Sequence, residues 1–156
     1  MDPTTLAAIR HLLDTERVLT AAVMVDGEPV AALLPFALGA THGSLLVQAS
    51  GLARHTRGLV HGTTIGVVVH RAVTPDLDAM QVPRLTVQAT VHLLDRDDQA
   101  FDDAAARFIH RFAHASTTLA LGDFRLFELV LGRGRYVEGF ARAFNVSGET
   151  FRALQG

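Results

Sequence analysis

The sequence predicts a mainly β fold with flanking helices, an α+β domain whose strands form a closed or partly open antiparallel barrel. The chain has 156 residues, about the length of one domain. Six or seven apolar or alternating runs of strand length follow one another, and few stretches have helical periodicity. No repeat, low-complexity segment or linker divides the chain, so residues 1–156 are expected to form a single domain. Consecutive strands in so small a domain favour a barrel over a doubly wound sheet.

The first element is predicted to be a helix from about Pro3 to Thr15. Asp2 is placed to cap it, and Pro3 occupies the first helical position, where its missing N–H costs no hydrogen bond. Its apolar stripe comprises Leu6, Ile9, Leu12 and Leu13. The runs "RVLTAAVMV" and "EPVAALLPFAL" then flank Asp26-Gly27, a dipeptide that favours a tight primed turn. These two runs are therefore expected to form an antiparallel hairpin.

The middle of the chain is expected to hold three more strands. "SLLVQA" is the third strand, "GLARHTRGLVHG" a short helix, and "TTIGVVVHR" the fourth strand. The fifth strand, "RLTVQATVHLL", alternates between a core face and a polar face. The core face comprises Leu85, Val87, Ala89, Val91 and Leu93, and the polar face comprises Arg84, Thr86, Gln88, Thr90 and His92.

The last third of the chain is predicted to contain a helix of about fifteen residues and two strands. Asp97 or Asp98 caps this helix, and Phe101, Ala105, Phe108 and Phe112 form its buried stripe. The final strands are "DFRLFELVL" and "GRYVEGFARAFNV", and the glycines of "LGRGRY" are interpreted as a hairpin turn between them. A short amphipathic tail follows.

Composition excludes several classes of function. Fourteen basic against sixteen acidic side chains leave a net charge of -2, so no broad cationic face is available for nucleic acid. The chain has no cysteine, which excludes disulfides, thiolate metal sites and a cysteine nucleophile. Without a secretory signal or an apolar run long enough to cross a bilayer, we expect a cytoplasmic protein without a membrane partner.

One segment has the residues of an anion site. Ser50 stands where a strand ends and a helix is predicted to begin, and Arg54 and Arg57 follow three apart, with His55 as a further donor. All fourteen basic residues are arginine, so an anion site would depend on guanidinium groups, backbone amides or histidine. Spacing alone does not distinguish a phosphate cradle from a capping serine followed by two solvated arginines.

The histidines do not indicate a metal site. His110 and His114 lie four apart, but no third ligand stands at a matching spacing and the pair lies off the phenylalanine stripe. We expect a solvated helix face there and no metal. His70 and His92 lie on predicted strands and are interpreted as polar-face or strand-end residues.

The amino-acid sequences of the segments, and their order along the chain, resemble the pyridoxamine 5'-phosphate oxidase-like FMN-binding split-barrel superfamily, and most closely its haem-utilisation branch. The resemblance is carried by "LLVQASGLARHTRGL", "RLTVQATVHLLDRDD" and above all "GDFRLFELVLGRGRYVEGFARAF", and it extends over roughly residues 15–146. It implies a six-stranded antiparallel split barrel with Greek-key connections. It also implies a homodimer with two equivalent FMN or haem sites at the subunit interface.

The resemblance also implies which residues bind the cofactor. Arg54 and His55 fall where flavin-binding members hold the phosphate, and Gln48 and Ala49 fall where the strand approaches the flavin. Arg84, Thr86 and Gln88 are similar in position to residues that border the isoalloxazine ring. Apart from the resemblance, we expect Ser50 to contribute at the predicted helix start and, because the chain has no lysine, Arg57 to be an additional phosphate partner.

Two departures from the family pattern bear on function. The oxidase's Arg-Leu-His-Asp-Arg stretch is absent after Phe144, which argues against oxidation of pyridoxamine phosphate. Haem-degrading relatives have an iron-ligating histidine near the last strand, whereas this chain has none after His114. The leading hypothesis is therefore an FMN-dependent oxidoreductase acting on a small molecule. The alternatives are a haem-binding or haem-degrading protein and a cofactor-binding module without turnover.

Overall fold

The computed structural model describes residues 1–154. It contains four α-helices and seven strands in one antiparallel sheet. In chain order these are α1 (Pro3–Thr15), β1 (Val18–Val25), β2 (Glu28–Leu38), β3 (Ser44–Ser50), β4 (Thr64–His70), β5 (Arg84–Leu93), α2 (Gln99–Arg111), α3 (Ala115–Ala120), β6 (Phe124–Gly139), β7 (Arg142–Val146) and α4 (Gly148–Ala153). Short 3-10 helices span Arg54–Gly58 and Ala79–Gln81. No helix within the described residues is long and apolar enough to span a membrane.

Six strands close into the predicted barrel. The sheet order is β3-β2-β1-β4-β5-β6-β7, and a further pairing of β3 with β6 closes the ring. The neighbours β4-β1-β2-β3 have the strand order of a Greek key. The long β6 makes closure possible because residues 124–130 pair with β3 while residues 127–137 pair with β5. β7 is an extra strand that pairs only with the C-terminal part of β6.

Local signals near the N-terminus produce the predicted elements. The Asp2 carboxylate accepts hydrogen bonds from the amide and hydroxyl of Thr5, at 3.0 and 2.8 Å. Both bonds hold the pKa of Asp2 below its ordinary value, and the bond from the Thr5 hydroxyl has the larger effect. Asp26 and Gly27 have φ angles of 55° and 79°, as a primed turn requires, and β1 pairs with β2 along its whole length.

The main core fills the barrel and continues onto α1 and α4. Alternate side chains of every barrel strand point inward, and Ile9, Leu13 and Phe151 from the two helices are fully buried against them. A second apolar cluster lies outside the barrel, where α2 and α3 cover Ala37, Leu46 and Leu126. β3 is therefore buried on both faces, which explains its continuous apolar sequence.

Three predictions about local structure are wrong. The predicted helix after β3 is only the 3-10 turn Arg54–Gly58, whose N-cap is Ala53, so Ser50 caps no helix. The Ser50 hydroxyl instead accepts the Leu52 amide and donates to Asp123. Leu93, expected in the core, is 41% exposed because it ends β5 beyond the barrel interior.

The third error concerns "LGRGRY", which is no hairpin turn. β6 runs through it without a break, and the turn comes later, at residues 140–141, where Ala141 has a φ of 56°. α3 was not predicted either. The tail is confirmed as α4, in which Ser147 and Thr150 form a capping box.

Candidate functional site

A groove of about 690 Å³ lies on the outer face of the barrel. It crosses β4, β5, β6 and the end of β7. Its lining comprises Gly66, Thr86, Val87, Gln88, Arg133, Gly134, Arg135, Asn145, Val146 and Ser147. A volume of this size suits a cofactor or a small-molecule ligand. Two predicted site residues, Thr86 and Gln88, are therefore brought together in it.

A β-bulge places two arginines in this groove. Val87 pairs with Gly134 and Ala89 pairs with Leu131, so β6 has one residue more than β5 between these pairs. The β5 backbone passes close to β6 here, and a Cβ on Gly134 would lie 2.2 Å from the Thr86 carbonyl oxygen. Glycine at position 134 thus permits the pairing that exposes Arg133 and Arg135 on either side of it.

The two guanidinium groups offer donors for a carboxylate or a phosphate. Arg135 donates to the side-chain oxygen of Asn145 at 3.2 Å, which orients its guanidinium group. The Arg133 side chain has no hydrogen bond or ion pair to any residue within 1–154. Thr86 and Gln88 are exposed beside them and add a hydroxyl and an amide. A planar guanidinium fork matches the two oxygens of a carboxylate or phosphate.

The predicted phosphate residues lie elsewhere, next to the β1–β2 hairpin. Arg54 donates to the carboxylate of Glu28 at 2.6 Å, and Arg57 forms an ion pair with Asp26. The side chains of both arginines are more than half exposed. His55 is half-buried between them. An incoming phosphate would therefore compete with two carboxylates for these guanidinium groups.

The three predicted residues at the end of β3 are engaged within the chain. Gln48 donates to the Thr118 hydroxyl at 2.5 Å, and Ala49 is buried in the barrel core. Ser50 bonds to Asp123, as described above. These contacts tie β3 to α3 and to the start of β6.

Within one chain, the predicted site residues thus lie in two groups that are separated in space. Gln48 pairs with Leu126, whereas Gln88 faces the bulge near Gly132, six residues further along β6. That separation is about 20 Å at 3.3 Å per residue. Arg84, expected beside Thr86 and Gln88, turns away and donates to the carbonyls of Met80 and Val82.

Sequence reasoning missed the arginines and Asn145. The alternation of Arg133 and Arg135 around a glycine was the available signal, because alternate residues of a strand share a face. Assigning "LGRGRY" to a turn concealed it. No histidine lines the groove. Within residues 1–154, no group of three or more His, Cys, Asp or Glu side chains is arranged so that it could hold a metal ion.

No family model matches the chain. The chain is 29% identical to the haem oxygenase HutZ of Vibrio cholerae over 130 residues, which are 83% of this chain and 73% of the relative. The solved structure of HutZ, named there as a haem storage protein, superposes with a TM-score of 0.71 at 23% identity, covering 92% of this chain and 96% of that one.

Two further structures share the fold. A haem-binding protein of Mycobacterium smegmatis has a TM-score of 0.82 at 24% identity, covering 98% of this chain. This chain spans only 62% of that protein's length. A pyridoxamine 5'-phosphate oxidase-type protein of Listeria innocua has a TM-score of 0.62 at 14% identity, covering 86% of this chain and 99% of that one. The predicted resemblance to the split-barrel superfamily and its haem-utilisation branch is confirmed.

Proposed function

We propose that the protein binds haem in the groove across β4–β7, with Arg133 and Arg135 holding the propionates. The observation that carries this proposal is the pair of exposed guanidinium groups on alternate residues of β6, one of them without a partner among the described residues. HutZ, named as a haem oxygenase and a haem storage protein, supports haem over flavin as the ligand.

The residues that line the groove fit the apolar ring and the two carboxylates of haem. A porphyrin has a flat apolar ring and two carboxylates on one edge. Gly66, Val87, Gly134 and Val146 give the groove a mostly apolar floor, and the two arginines belong to the same lining. When bound, haem supplies a redox-active iron, but no lining residue is a histidine, so this chain's own contribution in the groove is binding and orientation.

A second copy of the chain completes the proposed site. The groove is open, and the predicted site residue Gln48 on β3 lies about 20 Å away from it along β6. In a two-fold dimer, the groove of one subunit can face the Arg54–Gly58 turn of its partner, which encloses the ligand from both sides. The proposal therefore includes a homodimer with the cofactor at the interface.

Titration of the purified protein with haemin tests the proposal. The wild type is expected to bind haemin and to develop a Soret band. Each charge-assisted arginine contact is worth about 1.5 kcal/mol or more, so Arg133→Ala with Arg135→Ala should weaken binding by roughly two orders of magnitude. Arg152→Ala, on the exposed side of α4, is the control and should bind haemin as wild type does. Unchanged affinity in the double variant would place the propionates elsewhere.

FMN is the second candidate, with the protein acting as a flavin-dependent oxidoreductase on a small molecule. The fold of the Listeria protein and the two arginines of the 3-10 turn favour it. If Arg54 and Arg57 bind the phosphate, FMN should bind much more tightly than riboflavin. Replacing both arginines by alanine should then weaken FMN by about two orders of magnitude or more.

The ion pairs of these arginines provide a second test of flavin binding. Because Asp26 and Glu28 occupy the guanidinium groups, Asp26→Asn with Glu28→Gln should strengthen FMN binding if this segment holds the phosphate. Haemin uptake with no FMN uptake by wild type and by this variant would exclude the flavin candidate.

A further inference from the structure

A second cavity, of about 550 Å³, lies at one end of the barrel and shares no lining residue with the groove. It forms where the loop before β4, the loop after β5 and the loop before β6 meet. Its lining comprises His61, Leu93, Leu94, Asp95, Arg96, Phe101, Gly122, Phe124, Arg125 and Leu126. None of these residues was predicted as a site residue, and the proposed haem site does not use them.

The walls of this cavity are apolar and firmly held. Phe101 and Leu126 are buried, while Phe124 and Leu94 are half-buried. Arg96 joins the walls, donating to the carbonyls of Leu119, Leu121 and Phe124 at 2.7 to 3.2 Å. Its guanidinium carbon also lies 5.2 Å from the centre of the Phe101 ring. The cavity is therefore a preformed apolar surface whose rigidity does not depend on a ligand.

Two polar side chains at this cavity have unused donors. Arg125 is exposed, and its side chain has no hydrogen bond or ion pair within residues 1–154. His61 accepts the Leu93 amide at its Nδ1, at 3.2 Å, so the neutral ring carries its proton on Nε2. The His92 ring packs edge-on against His61 at 5.3 Å between centroids and holds it in place. The one carboxylate in the lining, Asp95, already accepts the Asp97 amide.

We propose that this cavity binds a small organic monoanion with an apolar body, an aromatic or branched-chain carboxylate. Its carboxylate pairs with the Arg125 guanidinium and accepts a hydrogen bond from Nε2 of His61. Its apolar body lies against Leu93, Phe101 and Phe124. The proposal follows from apolar walls beside free donors, because a ligand with an apolar body and a carboxylate uses both the walls and the donors.

Phenylacetate and its neutral isostere phenylacetamide test the proposal by NMR titration. Phenylacetate is expected to shift the amide signals of Leu93, Gly122 and Phe124 in a saturable way. Phenylacetamide, and phenylacetate with Arg125→Gln, should bind at least about tenfold more weakly, because each lacks one charge of the pair. The control Arg152→Gln should bind phenylacetate as wild type does.

Three results would overturn the assignment. One is the absence of a saturable shift. The second is equal binding of acid and amide, or equal binding by wild type and Arg125→Gln, since the guanidinium would then play no part. The third is a shift centred on Thr86 and Gln88, which would place the anion in the groove. Arg125 is exposed, so the variant should fold, and its circular dichroism checks that it does.

Discussion

Gly134 shows how one residue makes the groove possible. Its backbone lies so close to β5 that an added Cβ would stand 2.2 Å from the Thr86 carbonyl oxygen and 2.7 Å from the Cα of Val87. Both obstructing atoms belong to backbone, which cannot move aside without breaking the β5–β6 pairing. The neighbouring arginines therefore face the groove only while position 134 has no side chain.

We expect Gly134→Ala to destabilise the protein by about 1–3 kcal/mol, because overpacking against backbone forces strands apart. Urea unfolding measures this change. Gly122→Ala is the matched control, since a Cβ there has no neighbour within 4 Å, and its stability should stay within about 0.5 kcal/mol of wild type. Equal stabilities of the two variants would contradict the close strand approach.

At the scale of elements, Arg111 fastens the end of α2 to the connection between α1 and β1. It donates to the carbonyls of Asp14 and Glu16, and Arg17 donates back to the Arg111 carbonyl at 2.7 Å. The two guanidinium groups also lie over the rings of Phe36 and Phe112. This reciprocal contact joins residues that are more than 90 positions apart in the chain.

Arg111→Ala should lower the free energy of unfolding by about 1.5–3 kcal/mol, because two carbonyl oxygens lose a charged donor. Arg107→Ala is the control on the same helix, where the side chain is exposed, and it should change stability by no more than about 0.5 kcal/mol. Both are measured by denaturant unfolding. A loss in Arg107→Ala as large as that in Arg111→Ala would show that the hydrogen bonds of Arg111 to Asp14 and Glu16 do not set the effect.

At the scale of the whole molecule, the outer face of β1 and β2 is an uncovered apolar surface. Val18, Met24 and Leu33 on this face are 43%, 59% and 68% exposed, and no helix covers them. Next to this face, α2 and α3 cover Ala37 at the end of β2, together with Leu46 of β3 and Leu126 of β6. Exposed apolar residues on adjacent strands favour association with a partner, and we expect that partner to be a second copy of the chain.

We expect light scattering at micromolar concentration to give twice the chain mass of 16.8 kDa. Met24→Glu with Leu33→Glu should shift the protein to a monomer, because two charges would be buried at the interface. Phe140→Glu is the control, since Phe140 is 81% exposed at the β6–β7 turn, away from this face. A wild-type monomer, or loss of the dimer in the control alone, would contradict the interface.

The sequence by itself determined the elements whose signals are local. Asp2 and Pro3 start α1, and Asp26-Gly27 closes the first hairpin, because capping bonds and positive φ angles depend on adjacent residues. The alternation along β5 likewise placed Thr86 and Gln88 on the outer face, since side chains of a strand alternate between faces. The resemblance of longer segments to the split-barrel superfamily indicated the split barrel.

Only the tertiary structure decided which of these residues meet. Arg54 reaches Glu28 across 26 positions and Ser50 reaches Asp123 across 73, so neither partner is visible in the neighbouring sequence. The bulge that exposes Arg133 arises because β6 must pair with β5 along a different register on either side of Gly132. A bulge is defined by the pairing of two strands and not by the sequence of one of them. The segment "LGRGRY" alone is therefore equally compatible with a turn. Its pairing with the backbone of β5 makes this segment part of a binding surface.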